Sequence, residues 1–143
     1  MHEMRIMIVN DSRAMRLFLE DMVNSFGDCT VSGSFFDGEI ALENVQSIKP
    51  DVILLDLEMP KMDGLTFLEN LTDARKTPII ILSSYAMSDS SLVHDAIELG
   101  AIDSLTPPSS NTPEMLGKFR SKLHHKITMA SLKSPRFNRS VCA

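Results

Sequence analysis

A chain of 143 residues is one domain's length, enough to bury roughly two-thirds of its unfolded surface in a single core. Its net charge of -5 argues against a general nucleic-acid or membrane-binding surface, each of which needs clustered positive charge. No apolar run approaches the roughly 18 residues of a membrane span, and no secretory pattern follows Met1, so a cytoplasmic location is expected.

Residues 4–9, MRIMIV, form a β-type apolar run that stops at Asn10-Asp11-Ser12. From Arg13, the positions of Met15, Phe18, Leu19, Met22, Val23 and Phe26 predict an amphipathic helix ended by Gly27. A weaker strand is expected over 29–35. Asp37 then caps a helix over 38–48 with Ile40, Ala41, Leu42, Val45 and Ile48 apolar. Val52-Ile53-Leu54-Leu55 is continuous and apolar, which suits a strand buried on both faces of a parallel sheet, and Asp56 follows at once. Glu58, Met59 and Pro60 make a loop, and Asp63-Gly64 is a turn leading into a helix marked by Leu65, Phe67, Leu68 and Leu71.

After Thr77-Pro78 a second fully apolar run, residues 79–82, ends at Ser83-Ser84. A helix is predicted over 89–99, stopped by Gly100, with a short strand over 101–105. Pro107-Pro108 forces an extended turn before a last helix over 114–127. Beyond it the periodicity fades and the composition turns basic, so 1–127 is the expected domain and 128–143 a flexible tail or linker. Cys29 and Cys142 have no metal-type spacing and imply no disulfide framework, and the ten methionines are read as core filler.

Five strand signals alternating with five helix signals imply an α/β doubly wound parallel sheet. In the flavodoxin-like (βα)5 order 2-1-3-4-5 the first and third strands are neighbours, so Asp11 and Asp56 should face one crevice at the carboxyl edge. Two carboxylates there, with the main-chain carbonyl of Glu58, make a hard oxygen site of the kind Mg²⁺ prefers. The Asp56 carboxylate could attack phosphorus to form an aspartyl phosphate, and Ser83 could donate its hydroxyl to a phosphoryl oxygen. Each has a plainer alternative: Asp56 as a cap or turn aspartate, Asp11 as a helix cap, Ser83 as a strand-end turn residue.

The stretch DLEMPKMDGLTFL, residues 56–68, resembles the phosphoacceptor loop of bacterial response-regulator receiver domains. The EMPKMDGL wording, the Ser83-Ser84 pair and residues 99–103 are similar to the receiver half of chemotaxis protein-glutamate methylesterases. The resemblance covers roughly residues 4 to 126. It implies Asp56 as phosphoacceptor, Asp11 as direct metal ligand, Glu58 as a main-chain ligand, Ser83 as the hydroxyl that moves on phosphorylation, and a chemotaxis-type histidine kinase as phosphodonor. Three departures stand out. Asn10 replaces the first of two acids, which lowers the expected Mg²⁺ affinity. Pro107 stands where the family has a phosphate-binding lysine, which neither Lys118 nor Lys76 is placed to replace. Ser104 occupies the position of an aromatic switch residue.

The leading expectation is a signalling receiver acting through the face of its last two helix–strand units, around Tyr85, Ala86, Met87 and Leu105. One alternative is the regulatory fragment of a methylesterase. The esterase itself would need a nucleophile setting on another domain, with a C-terminal effector or a partner protein as recipient. A second is a degenerate receiver serving as an interaction module without phosphotransfer, and a third is a small phosphatase using Asp56. No nucleic acid or membrane partner is expected. His94 is expected between apolar residues of a helix, and His124 and His125 near a helix end where a cation suits the dipole.

Overall fold

The computed structural model describes residues 3–57, 64–71, 77–83 and 91–135. In chain order the elements are β1 (Met4–Val9), α1 (Arg13–Asn24), β2 (Cys29–Phe35), α2 (Gly38–Ile48), β3 (Val52–Asp56), α3 (Gly64–Asn70), β4 (Ile79–Leu82), α4 (Ser91–Glu98), β5 (Asp103–Leu105) and α5 (Pro113–Ser131). The five strands form one parallel sheet in the order β2-β1-β3-β4-β5. This is the flavodoxin-like arrangement expected from the alternating signals.

The continuous apolar runs are explained by the two cores they serve. Ile6, Ile8, Leu54, Ile80 and Leu82 point to one face, where they pack with Leu19 and Val23 of α1 and Phe119, Leu123 and Ile127 of α5. Their neighbours Met7, Val9, Ile53, Leu55, Ile79 and Ile81 point to the other face, against α2, α3 and Ala96 of α4. Side chains alternate along a strand, so a strand covered by helices on both faces must be apolar at every position. Burying one such side chain contributes on the order of 1.5–3 kcal/mol.

Local chemistry sets the element ends. Ser12 Oγ accepts from Met15 N at 3.2 Å, Asp37 Oδ1 from Ile40 N at 3.0 Å, and Thr112 Oγ1 from Met115 N at 3.3 Å. Gly64 opens α3 against β3, and a Cβ there would meet Leu57 Cα at 2.7 Å and the Asp56 carbonyl oxygen at 2.8 Å. Only glycine allows that approach of two backbones.

Several boundaries differ from the sequence pattern. The strand expected from 101 begins at Asp103, because Ala101 N still bonds back to Ala96 O after α4 and Gly100 turns the chain at φ 121°. The last helix passes Ile127 and runs to Ser131, with Ala130, Ser131 and Ser134 buried, so residues 128–135 pack onto the domain rather than leaving it. His124 is consequently interior to α5, not near its end, and His94 is exposed and faces Glu98 at 3.0 Å. Of the methionines, Met4 and Met7 are core, whereas Met115 and Met129 are exposed. No described helix is long and apolar enough to cross a membrane.

Candidate phosphoacceptor site

Register brings the candidate residues together. Val9 is opposite Leu55 and Asp56 opposite Leu82 in adjacent parallel strands. The residues just past β1 and β4, Asn10 and Ser83, therefore end at the same edge as Asp56. Asn10, Asp11, Ser12, Met15, Asp56, Leu82, Ser83 and Pro107 line one open cavity of about 310 Å³ at that edge. A crevice outside the carboxyl ends of the strands, where neighbouring connections run to opposite faces, is the general ligand position in such sheets.

Asn10 is almost fully buried and held from three sides. Its N–H donates to Phe35 O at 3.0 Å, its Oδ1 accepts from Ser12 N at 2.9 Å, and its carbonyl accepts from Arg16 Nη1 at 2.8 Å. The amide thus closes a short turn that throws Asp11 outward, and Asp11 is exposed. Ser12 caps α1, so Asp11 is not spent on the helix end. Asp56 is the half-buried last residue of β3, inside the ladder rather than in a turn. Ser83 is buried, its N–H donates to Leu105 O at 3.2 Å, and the residue lines the cavity.

Two departures noted in the sequence have visible consequences. Pro107 lines the cavity where a lysine was expected, and Lys118 does not replace it, being exposed on α5 with Nζ 3.5 Å from Glu114. Ser104 is not part of this cavity. It lies on β5 opposite Ile81 and lines a separate groove of about 490 Å³ with Leu105, Thr106, Lys122, His125 and Lys126. Leu105, expected on the signalling face, is buried in the α5-side core. Glu58, Ser84, Tyr85, Ala86, Met87 and Lys76 lie outside the described residues. The sequence pattern overlooked Arg16, a cation fastened to a cavity-lining residue. Only its position one turn into α1 hinted that it could reach back to the strand end.

The oxygen donors fit a hard divalent cation: the Asp11 carboxylate is exposed and held by no described neighbour, and the Asp56 carboxylate lines the same cavity. Asn10 contributes less, because its side-chain oxygen already accepts from Ser12.

Residues 6–118 match the response regulator receiver domain. The chain is 38% identical over 130 residues to protein-glutamate methylesterase/protein-glutamine glutaminase 2 of Vibrio vulnificus, covering 90% of this chain and 37% of that protein. It is 37% identical over 137 residues to protein-glutamate methylesterase/protein-glutamine glutaminase 1 of Dechloromonas aromatica, covering 96% of this chain and 39% of that protein. The chain therefore spans less than two-fifths of the length of these relatives, and what it matches is their receiver part. Among solved structures, the response regulator domain of Thermotoga maritima CheB superposes with a TM-score of 0.80 at 32% identity, over 91% of this chain and 97% of that one. With strand order, strand-end acids and these matches in agreement, the chain belongs to the response regulator receiver domain family.

Proposed function

We propose that Asp56 is the phosphoacceptor of this receiver, with a histidine kinase of the chemotaxis type as donor. The observation that carries this reading is the meeting of Asp11, Asp56 and Ser83 in one cavity from three different strand ends. Mg²⁺ would be held by Asp11, Asp56 and the Glu58 main chain, and when bound it offsets charge on the phosphoryl donor. Asp56 supplies the carboxylate oxygen that attacks phosphorus, forming the P–O bond of an aspartyl phosphate as the P–N bond to the kinase's phosphohistidine breaks and the imidazole leaves. Ser83 offers its hydroxyl to a phosphoryl oxygen, drawing the end of β4 toward the new charge, and Ser84 follows it in sequence. Asn10 holds the turn that presents Asp11, at the expense of one ligand charge. Pro107 removes the lysine contact that would otherwise stabilise the phosphorylated state, so the switch is weakened rather than lost.

The recipient in this reading is a methylesterase-type effector, either joined after the helix that ends the described fold or a separate protein. A cytoplasmic location suits both partners. Incubation with Mg²⁺ and acetyl phosphate, read by intact mass, is the direct test. One added phosphoryl group that disappears in Asp56→Ala supports the proposal. A folded protein that gains none, or gains one that survives in Asp56→Ala, overturns it.

A further inference from the structure

Asp28, Cys29 and His124 converge at the edge of the sheet opposite Asp56, where β1 and β2 begin. Asp28 Oδ1 lies 3.3 Å from Cys29 Sγ and 3.0 Å from His124 Nε2, with Oδ2 3.1 Å from the same nitrogen. One donor atom from each of the three residues lies within 4.8 Å of the other two, the sole such group among the described residues. The receiver reading uses none of these side chains.

The cluster has features of a built site. Cys29 is paired with Met4 in the β1–β2 ladder, and Met4 N donates to Asp28 O at 2.9 Å, so two of the ligands ride on sheet backbone. His124 is fixed on α5, with its ring 4.6 Å from that of Phe26. Cys29 is buried, whereas the Asp28 and His124 side chains are 49% and 39% exposed, so an ion can enter from the solvent side and keep a water. Thiolate, imidazole and carboxylate together favour a borderline ion such as Zn²⁺ over Mg²⁺ or Ca²⁺.

We propose that Asp28, Cys29 and His124 bind Zn²⁺ or a similar first-row transition-metal ion, with water as fourth ligand. Zinc at ordinary ligand distances of about 2.0–2.3 Å sets its donors roughly 3.3–3.6 Å apart. The Asp28 contacts are already close to that. Only the Cys29–His124 pair needs to close, by at most about 1.5 Å from the 4.8 Å limit. Binding displaces the thiol proton of Cys29 to solvent and frees His124 Nε2 of the proton it shares with Asp28, which leaves for solvent with Nδ1 keeping the remaining ring proton, and one thiolate plus one carboxylate then balance the two positive charges of the ion. The opposing feature is Arg120, whose guanidinium sits 4.9 Å from the Phe26 ring and bonds to Ser25. A bound ion would clamp α5 to the start of β2, across 95 residues of chain.

The test uses the full chain carrying Cys142→Ser, so that Cys29 is its remaining thiol. Zn²⁺ is titrated against a chromophoric competitor, and Co²⁺ is added separately to look for thiolate-to-metal charge-transfer absorption. The expected result is a charge-transfer band at one equivalent that is absent from Cys29→Ser, with affinity falling by more than about tenfold in His124→Gln. His124→Gln alters a half-exposed side chain, so it remains informative if Cys29→Ser fails to fold. A folded protein with no charge-transfer band overturns the proposal. So does binding that His124→Gln leaves unchanged.

Discussion

The hydroxyl of Ser134 donates to Oδ1 of Asp51 at 2.7 Å, and both residues are fully buried, joining the end of the described chain to the residue before β3. The other carboxylate oxygen, Oδ2, accepts from Arg5 N at 2.8 Å, and Asp51 N donates to Arg5 O at 2.7 Å. The turn after α5 therefore closes the amino-terminal edge of the sheet. Removing a donor from a buried carboxylate costs about 1–3 kcal/mol. Ser134→Ala should lower urea-unfolding stability by that amount, and a chain ending at Ile127 should lose more, because it also forfeits the burial of Ala130 and Ser131. A truncated chain as stable as the full one would contradict this role for residues 128–135.

Gly64→Ala should be destabilising although alanine is the better helix former. The new Cβ would press on Leu57 Cα and the Asp56 carbonyl, neither of which can swing aside as a side-chain tip could. Overpacking of this kind costs about 1–3 kcal/mol. The strain falls on the residue proposed to be phosphorylated, so phosphorylation by acetyl phosphate should slow as well. Chemical denaturation and phosphorylation kinetics on the same variant test both effects.

The Asp28, Cys29 and His124 contacts should contribute to the pH dependence of stability in metal-free protein at both its acid and its alkaline end. For Asp28, partial burial tends to raise the carboxyl pKa, but the hydrogen bonds from His124 and Cys29 and the His124 charge prevail and hold it below its ordinary 3.8. A depressed carboxyl contributes stability above its unfolded pKa, and that contribution is lost as pH falls through the folded value. His124→Gln should therefore shift the acid-unfolding midpoint to higher pH. Burial, reinforced by Asp28, pushes the Cys29 thiol up from 9.0 to about 12. Its contribution is complete below the unfolded pKa and is lost as pH rises between those two values. Thiol-reactive probes should modify Cys29 far more slowly in folded than in urea-unfolded protein at pH 8.

Asn10→Asp should raise Mg²⁺ affinity by about tenfold or more, since it adds a charged ligand beside Asp11 and Asp56. The same change should lower stability without Mg²⁺, because three carboxylates then share one crevice. The Ser12 N–H bond survives, as a carboxylate accepts it equally well. Tyrosine-free readouts such as isothermal titration and Mg²⁺-dependent thermal shift distinguish the two effects. Unchanged Mg²⁺ affinity would count against this cavity as the ion's site.

The fold was legible in the sequence because the apolar runs over 52–55 and 79–82 have a single economical reading, a strand covered on both faces. The strand-end positions of Asn10, Asp11, Asp56 and Ser83 followed from those runs, since parallel register carries every strand end to one edge. What only the tertiary structure decided depends on contacts distant in sequence. Asp51 meets Ser134 and Asp28 meets His124 across 83 and 96 residues, separations at which no local periodicity carries a signal. For the same reason the domain's end could not be read from the fading pattern after Ile127. Ser134 becomes structural there because a buried carboxylate elsewhere in the chain requires a donor.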